Sequence, residues 1–194
     1  MSKVQLAGNV SGTGIFTIAS PNSNTDRTLT LPDNTGTVLT TASTLTQNNG
    51  PAFSAYAANN QTPTSSVNTK IAINTEFFDT ANCFNTSTNS FTPNVAGYYI
   101  VRGCLRFSIG NATSAGNAIA MIWVYKNGSE FYRGTELRIW NNAPQQIEIC
   151  TIMYLNGTTD YIDLYGRLDG TSLVFEFGGS SAYTSQFSAA LIRT

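Results

Sequence analysis

The chain of 194 residues carries 10 Lys or Arg against 11 Asp or Glu, a formal net charge of −1, and no histidine. That balance excludes the basic footprint of a nucleic-acid binder and any imidazole-based catalysis or metal ligation. Hydrophobic residues at 41% and aromatics at 11% exclude a disordered chain, and charged residues at only 11% leave a neutral surface rich in hydroxyls and amides.

The first segment, residues 1–43, contains two short runs with period-2 alternation, Gly14-Ile15-Phe16-Thr17-Ile18 and Arg27-Thr28-Leu29-Thr30-Leu31, then Pro32-Asp33-Asn34-Thr35-Gly36-Thr37-Val38-Leu39. Bounded by Gly, Pro, Asn and Asp, these read as short strands. A piece with so few apolar residues buries too little surface to offset its chain entropy, so it needs a partner. Its apolar side chains Ile15, Phe16, Ile18, Leu29, Leu31, Val38 and Leu39 are the candidate attachment residues. Residues 44–49, Thr-Leu-Thr-Gln-Asn-Asn, form a linker. The opening Met1-Ser2-Lys3-Val4-Gln5 has no apolar core, and no later run is long and apolar enough to span a bilayer. The expectation is a soluble cytosolic product without membrane insertion.

Residues 50–194 form the main domain. Strands are predicted near Phe53–Ala57, Lys70–Phe78, Tyr98–Ile109, Ala118–Lys126, Gln145–Leu155, Asp160–Leu168, Leu173–Phe177 and Tyr183–Ile192. Turn signals separate them at Asn94–Gly97, Asn127-Gly128, Asn141–Pro144, Asn156-Gly157, Asp169-Gly170 and Gly178-Gly179. No stretch sustains a helical period, so the class is all-β.

The alternation also bears on assembly. In Tyr98–Ile109 the positions Tyr99, Val101, Leu105, Phe107 and Ile109 make a core face, with Arg102, Cys104, Arg106 and Ser108 opposite. In Ala118–Lys126 and Gln145–Leu155 both faces are apolar. Met121 and Trp123 stand opposite Ile122 and Val124, and Cys150, Ile152 and Tyr154 opposite Ile147, Ile149 and Met153. A strand of an antiparallel sandwich that is apolar on both faces needs a cover outside the sandwich. Met121, Trp123, Cys150, Ile152 and Tyr154 are therefore the candidate self-association residues, with closed cyclic symmetry satisfying the surface once.

The residues offer little reaction chemistry. Asp160, Asp163 and Asp169, near Glu176, could in principle form a glycosidase acid pair. However, the alternation of Tyr161, Asp163, Tyr165 and Arg167 against Ile162, Leu164 and Leu168 reads as a solvent-facing strand edge. There is no Asp-x-Asp-x-Asp-Gly calcium loop and no phosphate loop, so no catalytic residue, metal or cofactor is expected. Cys83, Cys104 and Cys150 are odd in number and widely spaced, which predicts free and mostly buried thiols. Trp140, with Arg138 and Tyr132 nearby, is the candidate ligand-binding group, because aromatic and Arg side chains in loops anchor recognition.

Two resemblances add to this reading. Ala52-Phe53-Ser54-Ala55, Phe91-Thr92-Pro93 before Gly97-Tyr98-Tyr99, Lys126-Asn127-Gly128 and Phe187-Ser188-Ala189-Ala190-Leu191 occur in the order found in one jelly roll. On these landmarks the domain resembles the trimeric head of the complement and tumour-necrosis-factor-like superfamily, which implies an antiparallel jelly-roll sandwich and a homotrimer. The stretch from about Gly12 to Thr41 is similar to a segment recurrent in tailed-phage fibre and virion structural proteins. Together they imply a non-enzymatic virion protein made in the bacterial host cytoplasm. It would be joined through residues 1–43 to another virion protein, as a capsid decoration or cement protein, or else as a fibre tip that binds a host surface glycan or protein. With no heptads and no shaft, the compact decoration protein is the expectation.

Overall fold

Alternation of one buried and one outward residue runs through β-strands such as 52–56, 145–155 and 173–176 of the computed structural model, which describes residues 50–109, 118–139, 144–170, 173–176 and 185–194. It also describes residues 11–15, 17, 19, 22–26 and 28 of the first segment. The chain divides into two units, Met1–Leu45 and Thr46–Thr194. In the first, Ser11 lies in a turn, Asn22, Asn24 and Thr25 lie in bends, and none of the described residues lies in a strand; Ile15 is 93% exposed. Phe16, Ile18, Leu29, Leu31, Val38 and Leu39 lie outside the described residues.

The second unit is an antiparallel jelly-roll sandwich. In chain order its strands are β1 (Ala52–Tyr56), β2 (Thr69–Lys70), β3 (Thr75–Asp79), β4 (Phe84–Asn85), β5 (Ser90–Phe91) and β6 (Gly97–Ile109). They continue as β7 (Ala118–Lys126), β8 (Ser129–Ile139), β9 (Gln145–Leu155), β10 (Ile162–Asp169), β11 (Leu173–Glu176) and β12 (Gln186–Arg193). One sheet runs β3-β1-β12-β6, with β11 extending the β12 side of the long β6 and β9 on its other side. The second runs β4-β5-β10-β7-β8, with β2 also on β10.

The two inner faces meet in a core built around stacked aromatics. The Phe53 ring lies 4.4 Å from Phe84, 4.6 Å from Phe91 and 5.2 Å from Phe187. Tyr99, fully buried, packs edge-on against Phe91 and donates its hydroxyl to the Val95 carbonyl at 2.7 Å.

Several elements depart from the sequence reading, among them the two-residue strands β4 and β5, which it does not include. The predicted strand Lys70–Phe78 is two strands in different sheets, because β2 pairs with β10 and β3 with β1. Between them Ile71 and Ile73 share the spacing of one strand face, yet both are fully buried as the chain crosses the side of the sandwich. The Ile71 amide donates to Leu164 and the Ile73 amide to Ile71 itself, a tight turn rather than a ladder. Next, the eleven-residue β8 is absent from the sequence reading; all nine residues of Ser129–Leu137 are exposed or half-buried, so it lacks a hydrophobic alternation to read. Finally, β10 is no edge: it lies between β7 on one side and β2 and β5 on the other.

Candidate functional site

The outer face of the first sheet is largely apolar, and no described residue covers it. On it Tyr98 stands opposite Tyr154, Ile100 opposite Ile152 and Arg102 opposite Cys150. Ile152 is 58% exposed, Tyr98 and Tyr154 about half exposed, and their rings meet edge-on at 5.6 Å. Continuing across β12 and β1, the row shrinks to Ser188, Ala190, Ala52 and Ser54 before rising again at Phe78, itself 50% exposed. The small residues floor a shallow groove of about 360 Å³ between Phe78 and Ile100. Charge borders the row at both ends, with Arg193 of β12 opposite Tyr98 and the Arg102–Glu148 pair at 3.4 Å. A flat apolar sheet with a floor of small side chains allows another protein surface to approach closely.

The five candidate self-association residues do not share one surface. Cys150, Ile152 and Tyr154 lie on the face just described. Met121 and Trp123 lie on the outer face of the opposite sheet, and their own subunit covers them: they are only 6% and 5% exposed and cluster with Tyr125, Ile119 and Tyr165. The Arg133 guanidinium lies 5.6 Å from the Trp123 ring centroid and donates to the Met121 thioether at 3.1 Å. The rings of Tyr125 and Tyr165 stack at 3.8 Å. Strand β7 is thus apolar on both faces without requiring a second subunit. Its outward stripe is sheltered by long side chains of β8 and β10, and the unrecognised β8 supplies the essential Arg133.

On this second face the rows are ordered by register. Glu136 of β8, Met121 of β7 and Arg167 of β10 form one row, and Arg133, Trp123 and Tyr165 the next. Between the β8 and β10 side chains lies a groove of about 640 Å³ floored by Ile119, Met121 and Trp123. Two ion pairs wall it, Arg133 with Glu136 and Arg167 with Asp169, the latter at 2.6 Å. At one end the Asn68 amide donates to Glu130 at 2.6 Å and to the Tyr125 hydroxyl at 2.8 Å, while its own carbonyl oxygen is buried with no partner among the described residues. Tyr132, proposed from sequence for ligand binding, lines this groove, and Arg138 is exposed beside it, opposite Ile119. Trp140 lies outside the described residues.

The carboxylates do not form an acid pair. Asp160 binds Lys126 at 2.9 Å, Asp163 binds Lys70 at 2.7 Å and Glu176 binds Arg106 at 3.1 Å. The expected solvent-facing row on β10 is corrected here, since Asp163 is 2% exposed. Hydrogen bonds from the Asn127 amide and Lys126 hold the Asp160 carboxyl below its ordinary value, and Arg167 does the same for Asp169. Asp160 and Asp169 are thereby held in the ionised form, the opposite of the raised, proton-donating carboxyl that glycoside cleavage needs. Among the described residues no three His, Cys, Asp or Glu gather in a way that would hold a metal ion. Cys83 and Cys104 are buried and desolvation pushes both thiols up, whereas Cys150 is exposed.

No family model matches the chain, and no curated protein matches it. Solved structures do. Murine APRIL at pH 5.0 aligns over 74% of this chain and 99% of its own, with 11% identity and a TM-score of 0.52. The fold is shared. Murine APRIL at pH 8.0 aligns over 73% and 98%, with 10% identity and a TM-score of 0.50. The globular domain of zebrafish complement 1qA protein aligns over 75% and 99%, with 16% identity and a TM-score of 0.47. At such identities the likeness to murine APRIL concerns the fold alone, an antiparallel jelly roll.

Proposed function

We propose that this chain is a non-enzymatic structural protein of a bacteriophage particle. It assembles as a homotrimer through the outer face of the first sheet, and residues 1–43 attach it to another virion protein. The observation that carries the self-association is the uncovered apolar face of Tyr98, Ile100, Ile152 and Tyr154, which continues over small residues to Phe78. A monomer would leave that face in water, while a closed ring of three copies buries it once and leaves no sticky edge. Engagement of Asp160, Asp163 and Asp169 by cations supports a binding or assembly role over a catalytic one.

The phage assignment is supported by the Gly12–Thr41 stretch, whose wording is similar to virion structural proteins. Strand addition of that segment to a sheet edge of its partner is the proposed attachment. Because these 194 residues hold no heptad repeat, a capsid decoration or cement role is preferred to a fibre tip. Light scattering on the intact chain tests the assembly: a mass about three times 20.9 kDa is expected, and a mass of 20.9 kDa overturns it. Cryo-electron microscopy of the virion tests the location. Trimeric density at capsid threefold positions is the expected result; density only at tail or fibre ends makes the protein a receptor-binding tip.

A further inference from the structure

We propose that copies of this chain interlock ridge into valley on the outer face of the first sheet. The ridge of Ile100, Ile152, Arg102 and Cys150 on one copy seats on the small-residue floor of the next. The inference rests on the proposed self-association and names the contact through which it occurs. The relief follows from the register. Strands β6 and β9 raise the pairs Tyr98 with Tyr154 and Ile100 with Ile152. Beside them β12 and β1 carry only Ser188, Ala190, Ala52 and Ser54, each half-buried, and Phe78 of β3, 50% exposed, rises beyond. The floor is therefore a groove of about 360 Å³ between an aliphatic and an aromatic wall. Large apolar side chains stand where the ridge is and are missing where the floor is, so each copy carries both halves of one contact.

The levels of the two halves match as well. Ile100 and Ile152 share a row with Ala190 and Ala52, and Arg102 and Cys150 share the next with Ser188 and Ser54. A second copy laid alongside in the same direction brings the isoleucines onto the alanines and Arg102 onto the serine hydroxyls, which accept from a guanidinium. Turned end for end, it would set Arg102 against the alanines, stripping its water without a replacement. Among the described residues Arg102 is the one charged side chain lining the groove, so the groove does not select an oppositely charged foreign partner. With one ridge and one valley per copy, the contact is head-to-tail and propagates around a ring until the last copy meets the first.

The native Cys150 on the ridge provides the test. Within one chain Cys150 and Ser188 lie on either side of Arg102, about 9.5 Å apart across two strand spacings and beyond the roughly 7 Å that a disulfide spans between Cα atoms. Ser54 lies one strand further away. A disulfide from Cys150 to either floor position must therefore join two copies. Ser188→Cys and Ser54→Cys are made singly in the intact chain, oxidised in a glutathione redox buffer and run on non-reducing gels, with the mass measured by light scattering before oxidation. At least one variant should yield covalent dimers and trimers, and the yield should fall to background when Cys150→Ser is added. Arg138→Cys, on the other sheet, should yield none. Covalent dimers of the native chain through Cys150 alone would mean that ridge meets ridge and overturn the proposal. So would a cross-link that survives Cys150→Ser, or a threefold mass with no cross-link from either variant; the last leaves the trimer standing with a different contact. A mass of 20.9 kDa overturns the contact and the trimer together.

Discussion

Tyr99 is the clearest case at the scale of single residues. Its ring is fully buried and its hydroxyl is held by the Val95 carbonyl, so burial pushes its pKa up to about 12. An unfolded tyrosine ionises near pH 10. Folding stability from this group is therefore complete below pH 10 and lost as pH rises from 10 through about 12. Thermal melts across that interval should fall faster for the native chain than for Tyr99→Phe, which at neutral pH should cost about 1 kcal/mol for the lost hydrogen bond. Asp160 acts at the other end of the scale. Its lowered carboxyl stabilises the fold above its ordinary value of 3.8, and that contribution disappears as pH falls through the lower folded value. Asp160→Asn, which weakens its bonds to Lys126 and the Asn156 amide, should destabilise at pH 7 and flatten the acid limb of the melting curve.

At the scale of elements, the β7–β8 hairpin is decisive. Lys126 pairs with Ser129 across the two-residue loop Asn127-Gly128, whose φ angles of +52° and +78° are both left-handed. That geometry suits Asn-Gly and matches the strand twist. Gly128→Val should cost about 1–3 kcal/mol of stability, since a branched residue is strained there, and chemical denaturation checks it. The turn was legible in the sequence, but the strand following it was not. Strand β8 is polar and largely exposed, and it is identified by its ladder with β7 rather than by its own pattern. The same limit produced the merged Lys70–Phe78 strand: Ile71 and Ile73 obey strand spacing locally, and only pairing partners reveal that the chain has changed sheets.

For the whole molecule, the apolar first-sheet face carries the proposed self-association. Cys150 lies within that face, exposed in the single chain, while Cys83 and Cys104 are buried. In the proposed trimer Cys150 should resist a thiol reagent under native conditions and react after dissociation; rapid reaction of one thiol per chain at full assembly concentration would count against the interface. Ile152→Glu, placing a charge where a partner would bury it, should convert the assembly to a species of 20.9 kDa. The native melting temperature should also rise with protein concentration, as mass action requires of a folded oligomer.

The sequence alone determined the all-β class, most strand positions, the hairpin turn and the apolar character of β9, because alternation and turn chemistry are local properties of the chain. It also brought Tyr132 and Arg138 to notice near a groove they do reach or border. Tertiary structure alone decided which apolar faces are already covered. Met121 and Trp123 read like Ile152 and Tyr154 in the sequence, yet one pair lies under side chains of β8 and β10 and the other faces water. Burial depends on what packs across the strand, and that is set by pairings between residues far apart in the chain.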